Sequence, residues 1–221
     1  MKKQIQSLLK ISFIQTTLLK LFVALHNFAY KAISSLVLAD NNGQHPKHAI
    51  LNYEKFYTDN LESTDTVLDI GCGNGTLAAA VAGKVKKVVA IEIEKKNIEE
   101  AKRKNARPNI EYILGDATTW NPEQKFDCIL LSNVLEHIEH RVDFLTKIHT
   151  LSNRILLRVP MIDRDWLPVF KRDHGFEYRL DSTHFIEYTI AELNEELATS
   201  GWKLESYSIQ FGELWGVVTQ A

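Results

Sequence analysis

The stretch Val67-Leu68-Asp69-Ile70-Gly71-Cys72-Gly73-Asn74-Gly75 constrains the fold more than any other part of the chain. Its apolar start reads as a buried strand, and the small apolar run at 76–82 behind it reads as a helix. Glycines at such a junction let the backbone turn sharply and let a ligand approach a helix N-terminus closely. The spacing is G-x-G-x-G. A dinucleotide fingerprint, G-x-G-x-x-G, would need its third glycine where Thr76 stands, so that pattern is not met. Asp69, just before the glycines, would repel a pyrophosphate but could bind an ammonium group.

From Thr66 onward strands and helices alternate. Strands are predicted at 67–70, 87–93, 110–114, 126–131 and 154–159, with helices at 76–82, 94–105 and 142–151. Residues 161–188 read as irregular, rich in charge and aromatics. A helix follows at 189–200, closed by Gly201, and then two strands at 202–209 and 214–219 turn at Gly212. Near-continuous apolar strands separated by helices imply an α/β fold with a mostly parallel sheet covered on both faces. The last two strands are too close in sequence for a crossover and should pair antiparallel. The turn cluster Asn41-Asn42-Gly43 and Pro46 divide the chain into an N-terminal amphipathic helical extension, 1–45, and a main domain, 46–221, entered through a short helix at 47–61.

In the extension, Leu8, Ile11, Leu18, Phe22, Leu25, Ala29 and Leu36 fall at helical steps. Lys10, Lys20 and Lys31 interrupt the apolar run, so no charge-free stretch reaches the ~18–20 residues of a spanning helix. Five lysines and no acid precede Asp40, which makes the segment basic. It suits a helix packed on the body or on a second copy through residues 1–39, a helix lying on an anionic membrane surface, or a cleaved leader ending near Val37-Leu38-Ala39.

Lys plus Arg number 26 and Asp plus Glu 28, a net charge of -2, which argues against a basic nucleic-acid binder. Cys72 and Cys128 lie far apart in apolar settings, so neither a disulfide framework nor a cysteine-rich zinc site is built from them. A reducing, cytoplasmic setting follows as the expectation, with membrane association through the extension as its variant.

Two more acids join Asp69 at strand ends. Glu92 ends the second strand, where a carboxylate accepts from ribose hydroxyls. Asp116, in Gly115-Asp116-Ala117, ends the third and could accept from an adenine amino group. The three line the crevice where open α/β sheets bind ligands. They suit a ligand with an amine, a ribose and an adenine, and no phosphate.

With Phe126-Asp127-Cys128-Ile129-Leu130-Leu131-Ser132-Asn133 and Leu135-Glu136-His137-Ile138, this set resembles the class I S-adenosylmethionine-dependent methyltransferases over roughly residues 47–221. The resemblance implies a Rossmann-like seven-stranded sheet of order 3-2-1-4-5-7-6, the last strand inserted antiparallel. It implies S-adenosyl-L-methionine as cofactor, held by Asp69, Gly71, Gly73, Gly75, Glu92, Asp116, Ala117 and Asn133. Family members that methylate amino groups of DNA bases carry a Pro-Pro-aromatic motif after the fourth strand. Here Ser132-Asn133-Val134-Leu135 stands there, and Cys128 lies inside the strand, so nucleic acid is not expected as acceptor.

A hydroxyl acceptor must lose its proton to a base or be acidified by a metal. His137, just beyond the fourth strand, is one candidate base. Asp181 and His184, in Asp181-Ser182-Thr183-His184-Phe185-Ile186-Glu187-Tyr188, form the other candidate, with Asp181 orienting His184 or both ligating a divalent metal. Nearby Asp163, Asp165, Asp173, Arg164, Trp166, Arg172, Tyr178 and Arg179 suit a sugar or a cation equally. His45-Pro46-Lys47-His48, Arg164-Asp165-Trp166 and the Asp181–Tyr188 run are similar to methyltransferases of bacterial surface-polysaccharide assembly, which implies O-methylation of a sugar in a cell-surface glycan or its precursor. The rival readings are a carboxylate, amine or quinone-like acceptor, and a catalytically silent fold that only holds the cofactor.

Overall fold

The computed structural model describes residues 12–40 and 46–221. Leu8, Ile11, Lys10 and the proposed boundary turn at 41–43 lie outside the described residues.

Two compact units emerge, one of residues 1–51 with 170–178, the other of 52–169 with 179–221. In the first, α1 (Ser12–Asp40) is one helix of 29 residues, followed by the short α2 (Lys47–Leu51). Phe22, Leu25, Ala29 and Leu36 of the expected stripe are exposed, while Leu18 is half-buried and Val23 buried. The face of α1 that meets the 170–178 segment is polar. Asn27 accepts from Lys171 Nζ at 2.6 Å and donates to the Glu177 carbonyl at 3.0 Å, with His26 Nδ1 3.2 Å from the same ammonium. By length and composition the Ile14–Asp40 part, with a mean hydropathy of 1.4, also suffices to cross a membrane, a span the lysine spacing argued against.

The second unit begins with α3 (Tyr53–Asp59). Asn52 sits in the left-handed region at φ 48°, so the single helix expected over 47–61 is broken there. A seven-stranded sheet follows: β1 (Thr66–Ile70), β2 (Lys87–Glu92), β3 (Ile110–Leu114), β4 (Cys128–Ser132), β5 (Arg154–Pro160), β6 (Trp202–Gln210) and β7 (Glu213–Gln220), in the order β3-β2-β1-β4-β5-β7-β6. β1 to β5 pair parallel, and β7 enters antiparallel between β5 and β6, as expected. The central strands are buried at both parities (Val67 and Leu68, Val88 and Val89, Leu130 and Leu131), so both sheet faces are covered.

The helices are α4 (Thr76–Ala82), α5 (Lys95–Lys104), α6 (Arg141–Ile148), α7 (Trp166–Asp173) and α8 (Ile190–Thr199). Thr189 caps α8, its hydroxyl taking the Glu192 amide at 3.2 Å while the Glu192 carboxylate takes the Thr189 amide at 2.8 Å. Helix α7 falls where irregular chain was expected. Pro168 does not break it because it sits in the first turn, where backbone amides have no intrahelical acceptor. Behind the sheet's C-terminal half, Arg158 of β5 forms a two-pronged buried ion pair with Glu213 of β7, at 2.6 and 3.0 Å. Its guanidinium carbon also lies 4.1 Å from the centre of the Tyr53 ring. The sequence reading had singled out neither residue.

Candidate active site

Three left-handed glycines shape the turn after β1: Gly71, Gly73 and Gly75, at φ 67°, 54° and 77°. At Gly71 the neighbours forbid a side chain too, since a Cβ would lie 2.7 Å from Val134 Cγ2. The turn is fastened from β2. The Gly71 amide donates to the Ile91 carbonyl at 2.8 Å, and the Gly73 amide donates to Glu92 Oε2 at 2.9 Å. Glu92 Oε1 accepts from the Glu94 amide at 2.8 Å. Each Glu92 oxygen thus holds one backbone donor and keeps a second lone pair.

A cleft of 610 Å³ opens beside this turn at the C-terminal ends of β1, β2, β3 and β4. Of the expected cofactor residues, Gly71, Glu92, Asp116 and Ala117 line it. Ile91, Ile93, Val134 and Phe144 give it apolar walls. Asp116 is set by its own loop, Oδ1 accepting from the Thr118 amide at 2.8 Å and the Thr118 hydroxyl at 2.7 Å. Lys147 of α6 closes the same loop by donating to the Thr118 carbonyl at 2.8 Å. The lining carries Glu92, Asp116, Glu139 and Asp143 against Lys147, a surplus of acid that favours a cationic ligand over a phosphorylated one.

Asp69, Gly73, Gly75 and Asn133 do not line the cleft wall. Asp69 is 1% exposed, and its Oδ2 has no hydrogen-bond partner. Burial, then the Glu92 carboxylate, push its acid up to about 8. Asn133 is left-handed at φ 55°, and its Oδ1 is buried without a partner. Orphaned buried acceptors cost free energy; Asp69 stands near the end of β1, beside the glycine turn, and Asn133 directly follows β4.

Beyond β4 the chain makes a single 3-10 turn, Leu135–His137, that presents Glu136 and His137 side by side. The His137 and His184 rings meet edge to face with centres 4.7 Å apart. The expected pairing of Asp181 with His184 is replaced by two separate relays. Asp181 Oδ1 accepts from the Thr183 hydroxyl at 2.8 Å, and that hydroxyl oxygen lies 3.0 Å from His137 Nδ1. His184 Nδ1 instead faces Glu187 Oε1 at 3.2 Å. Glu187 is in turn bound by Arg164 and the Leu180 amide. A carboxylate only accepts, so Thr183 donates to Asp181 and accepts from His137, and His184 donates to Glu187. Both rings therefore carry their proton on Nδ1 and leave a lone pair on Nε2.

The sequence reading missed Glu136, Thr183 and Glu187 as parts of this cluster. The carboxylates adjacent to each histidine were the available signal. Cys128 is fully buried, and burial pushes its thiol up to about 11, which keeps it from acting as a nucleophile.

Residues 67–153 match a protein family described as "Methyltransferase domain". The match takes in β1 to β4 of the sheet. The chain is similar to (S)-coclaurine N-methyltransferase of Papaver somniferum, 34% identical over 93 residues, which are 40% of this chain and 26% of that protein. It is similar to the ubiquinone biosynthesis O-methyltransferase of Pelagibacter ubique, 37% identical over 83 residues, 37% of this chain and 34% of that one. The chain thus matches about a third or less of these relatives' length. Among solved structures, the magnesium protoporphyrin IX methyltransferase of Synechocystis, with bound S-adenosylhomocysteine, superposes with a TM-score of 0.58 at 19% identity, covering 89% of this chain and 84% of that one. The two share the class I methyltransferase fold, with the sheet order the sequence implied.

Proposed function

We propose that this chain binds S-adenosyl-L-methionine and transfers its methyl group to a hydroxyl of a small molecule, a sugar of a cell-surface glycan or its precursor being the acceptor class favoured. The observation that carries the reading is the exposed His137 imidazole, which lines an acid-lined cleft beside a glycine turn with its Nδ1 held by Thr183 and the buried His184 ring packed against it. When bound, the cofactor supplies a methyl group already activated on a sulfonium. Glu92 keeps a lone pair on each oxygen for the ribose hydroxyls, and Asp116 offers its free oxygen to an amino group. Glu139 and Asp143, which line the cleft, add negative charge toward the positive end of the ligand. His137 and its cluster draw the proton from the acceptor hydroxyl, whose oxygen then attacks in line. Phe185, 52% exposed and at the cleft's edge, offers an aromatic face to a ring-shaped acceptor.

Calorimetry with S-adenosylhomocysteine tests the cofactor pocket. Labelled cofactor with hydroxyl, amine and carboxylate acceptors then tests the reaction. Hydroxyl transfer lost in both His137→Ala and His184→Ala is the expected result. Transfer to amines alone, or unchanged turnover in both variants, contradicts it.

We further propose that α1 lies on an anionic membrane surface. Leu21, Phe22, Leu25, Phe28, Ile33 and Leu36 share one side of the helix and are all exposed, whereas the polar side is the one bonded to Lys171 and Glu177. Lys20 and Lys31 share the side of Asn27, seven and four residues away, and no acid precedes Asp40. Cosedimentation with phosphatidylglycerol vesicles should be lost in Phe22→Glu/Leu25→Glu and weakened by salt. No vesicle binding, or a self-association removed by the same substitutions, overturns it in favour of a second copy of the chain.

A further inference from the structure

The two imidazoles do not stand alone. Glu136 lies beside them, fully buried, and neither of its carboxylate oxygens has a hydrogen-bond partner. One ligand atom each from Glu136, His137 and His184 lies within 4.8 Å of the others. A carboxylate taken out of water with no donor to meet it is costly, and the imidazole nitrogens not engaged by Thr183 and Glu187 are acceptors as well. A divalent cation satisfies all three groups at once.

We infer that Glu136, His137 and His184 form a divalent-metal site. The support behind each imidazole has the form that metal-bound histidines require: Nδ1–H is held by Glu187 on His184 and by the Thr183–Asp181 relay on His137, which orients both rings and leaves Nε2 free to ligate. Ligand atoms about 2.1 Å from an ion stand roughly 3–4 Å apart, so small side-chain rotations close the cluster. Two nitrogens and one carboxylate oxygen select a borderline cation such as Zn²⁺, Co²⁺, Fe²⁺ or Mn²⁺ over Ca²⁺ or Mg²⁺. Glu136 and His184 are buried but His137 is exposed and lines the cleft, so the ion's remaining positions face the acceptor. Asp181 supports this site through Thr183 and is not a ligand, which replaces the Asp181–His184 pair that the sequence suggested. The ion's role rests on the hydroxyl-transfer reading: with the Nε2 lone pairs engaged as ligands, the ion takes the place of the imidazole base, and an acceptor hydroxyl bound to it would be a stronger acid that gives its proton to solvent. The binding itself does not depend on that reading.

The test uses metal-stripped full-length protein. Calorimetry with Zn²⁺, and the visible absorption of a Co²⁺ titration, should report one site per chain. Glu136→Gln and His184→Ala should each weaken it by tenfold or more, and the exposed His137→Ala provides a variant less exposed to folding defects. Mg²⁺ at the same concentration should not compete. S-adenosylhomocysteine affinity, measured on the same samples, separates the two proposals. Intact cofactor binding with no Zn²⁺ or Co²⁺ uptake overturns the metal site alone. Uptake that all three substitutions leave unchanged overturns the ligand assignment, and full competition by Mg²⁺ overturns the class of ion.

Discussion

Glu92 Oε2 accepts the Gly73 amide at 2.9 Å, which ties the end of β2 to the turn that leaves β1. The same carboxylate takes the Glu94 amide through its other oxygen, so one side chain orders two loops and faces the cleft at once. In Glu92→Gln one of the two acceptors becomes an amide nitrogen facing an N–H. S-adenosylhomocysteine affinity should fall by tenfold or more in calorimetry, with a stability loss of about 1–3 kcal/mol in denaturant titration.

Gly71→Ala tests the turn itself. The substitution meets both a left-handed backbone at φ 67° and the Val134 side chain at 2.7 Å. It should cost about 1–3 kcal/mol and lower the thermal midpoint. The same change at Gly73, where no atom lies within 4 Å of the built Cβ, should cost less because only the backbone term remains.

Asp69 makes stability depend on pH. Its folded acid is raised to about 8 by burial and by Glu92. Between the ordinary carboxylate range and pH 8 the folded chain therefore holds a proton that the unfolded chain has released. Stability contributed there is present at low pH and lost as pH rises through that window. Urea midpoints measured from pH 5 to 9 should fall more steeply for the wild type than for Asp69→Asn, which has no acid to titrate. Parallel curves for the two proteins would contradict this.

The Arg158–Glu213 pair is buried on both sides, so removing one partner strands a charge. Glu213→Leu should lose about 3–5 kcal/mol, whereas Arg158→Met/Glu213→Leu should recover most of it. Because Arg158 also lies over Tyr53, the double variant should leave a deficit from that lost contact. Chemical denaturation of the three proteins checks both statements.

Most of the fold was legible because its signals are local. Apolar runs ending in glycine or acid mark β1, β2 and β3, and a strand pair with a short turn can only be antiparallel. The errors have local causes as well. Pro168 in a first turn hides α7, and Asn52 in the left-handed region interrupts a helical pattern without a glycine to announce it.

The amino-acid sequence by itself determined the strand tips and their acids, since each acid follows its own strand and the parallel order brings the tips to one edge. It also determined that the N-terminal segment is helical with one apolar side. Only the tertiary structure decided that this side is exposed, that Glu187 and not Asp181 holds His184, and that Glu136 meets both histidines. Those relations join residues 136–137 to 181–187 across some forty-five intervening positions. No periodicity or spacing encodes which of several nearby carboxylates will face a given ring. That choice follows from how β4 and β5 set the two loops against each other.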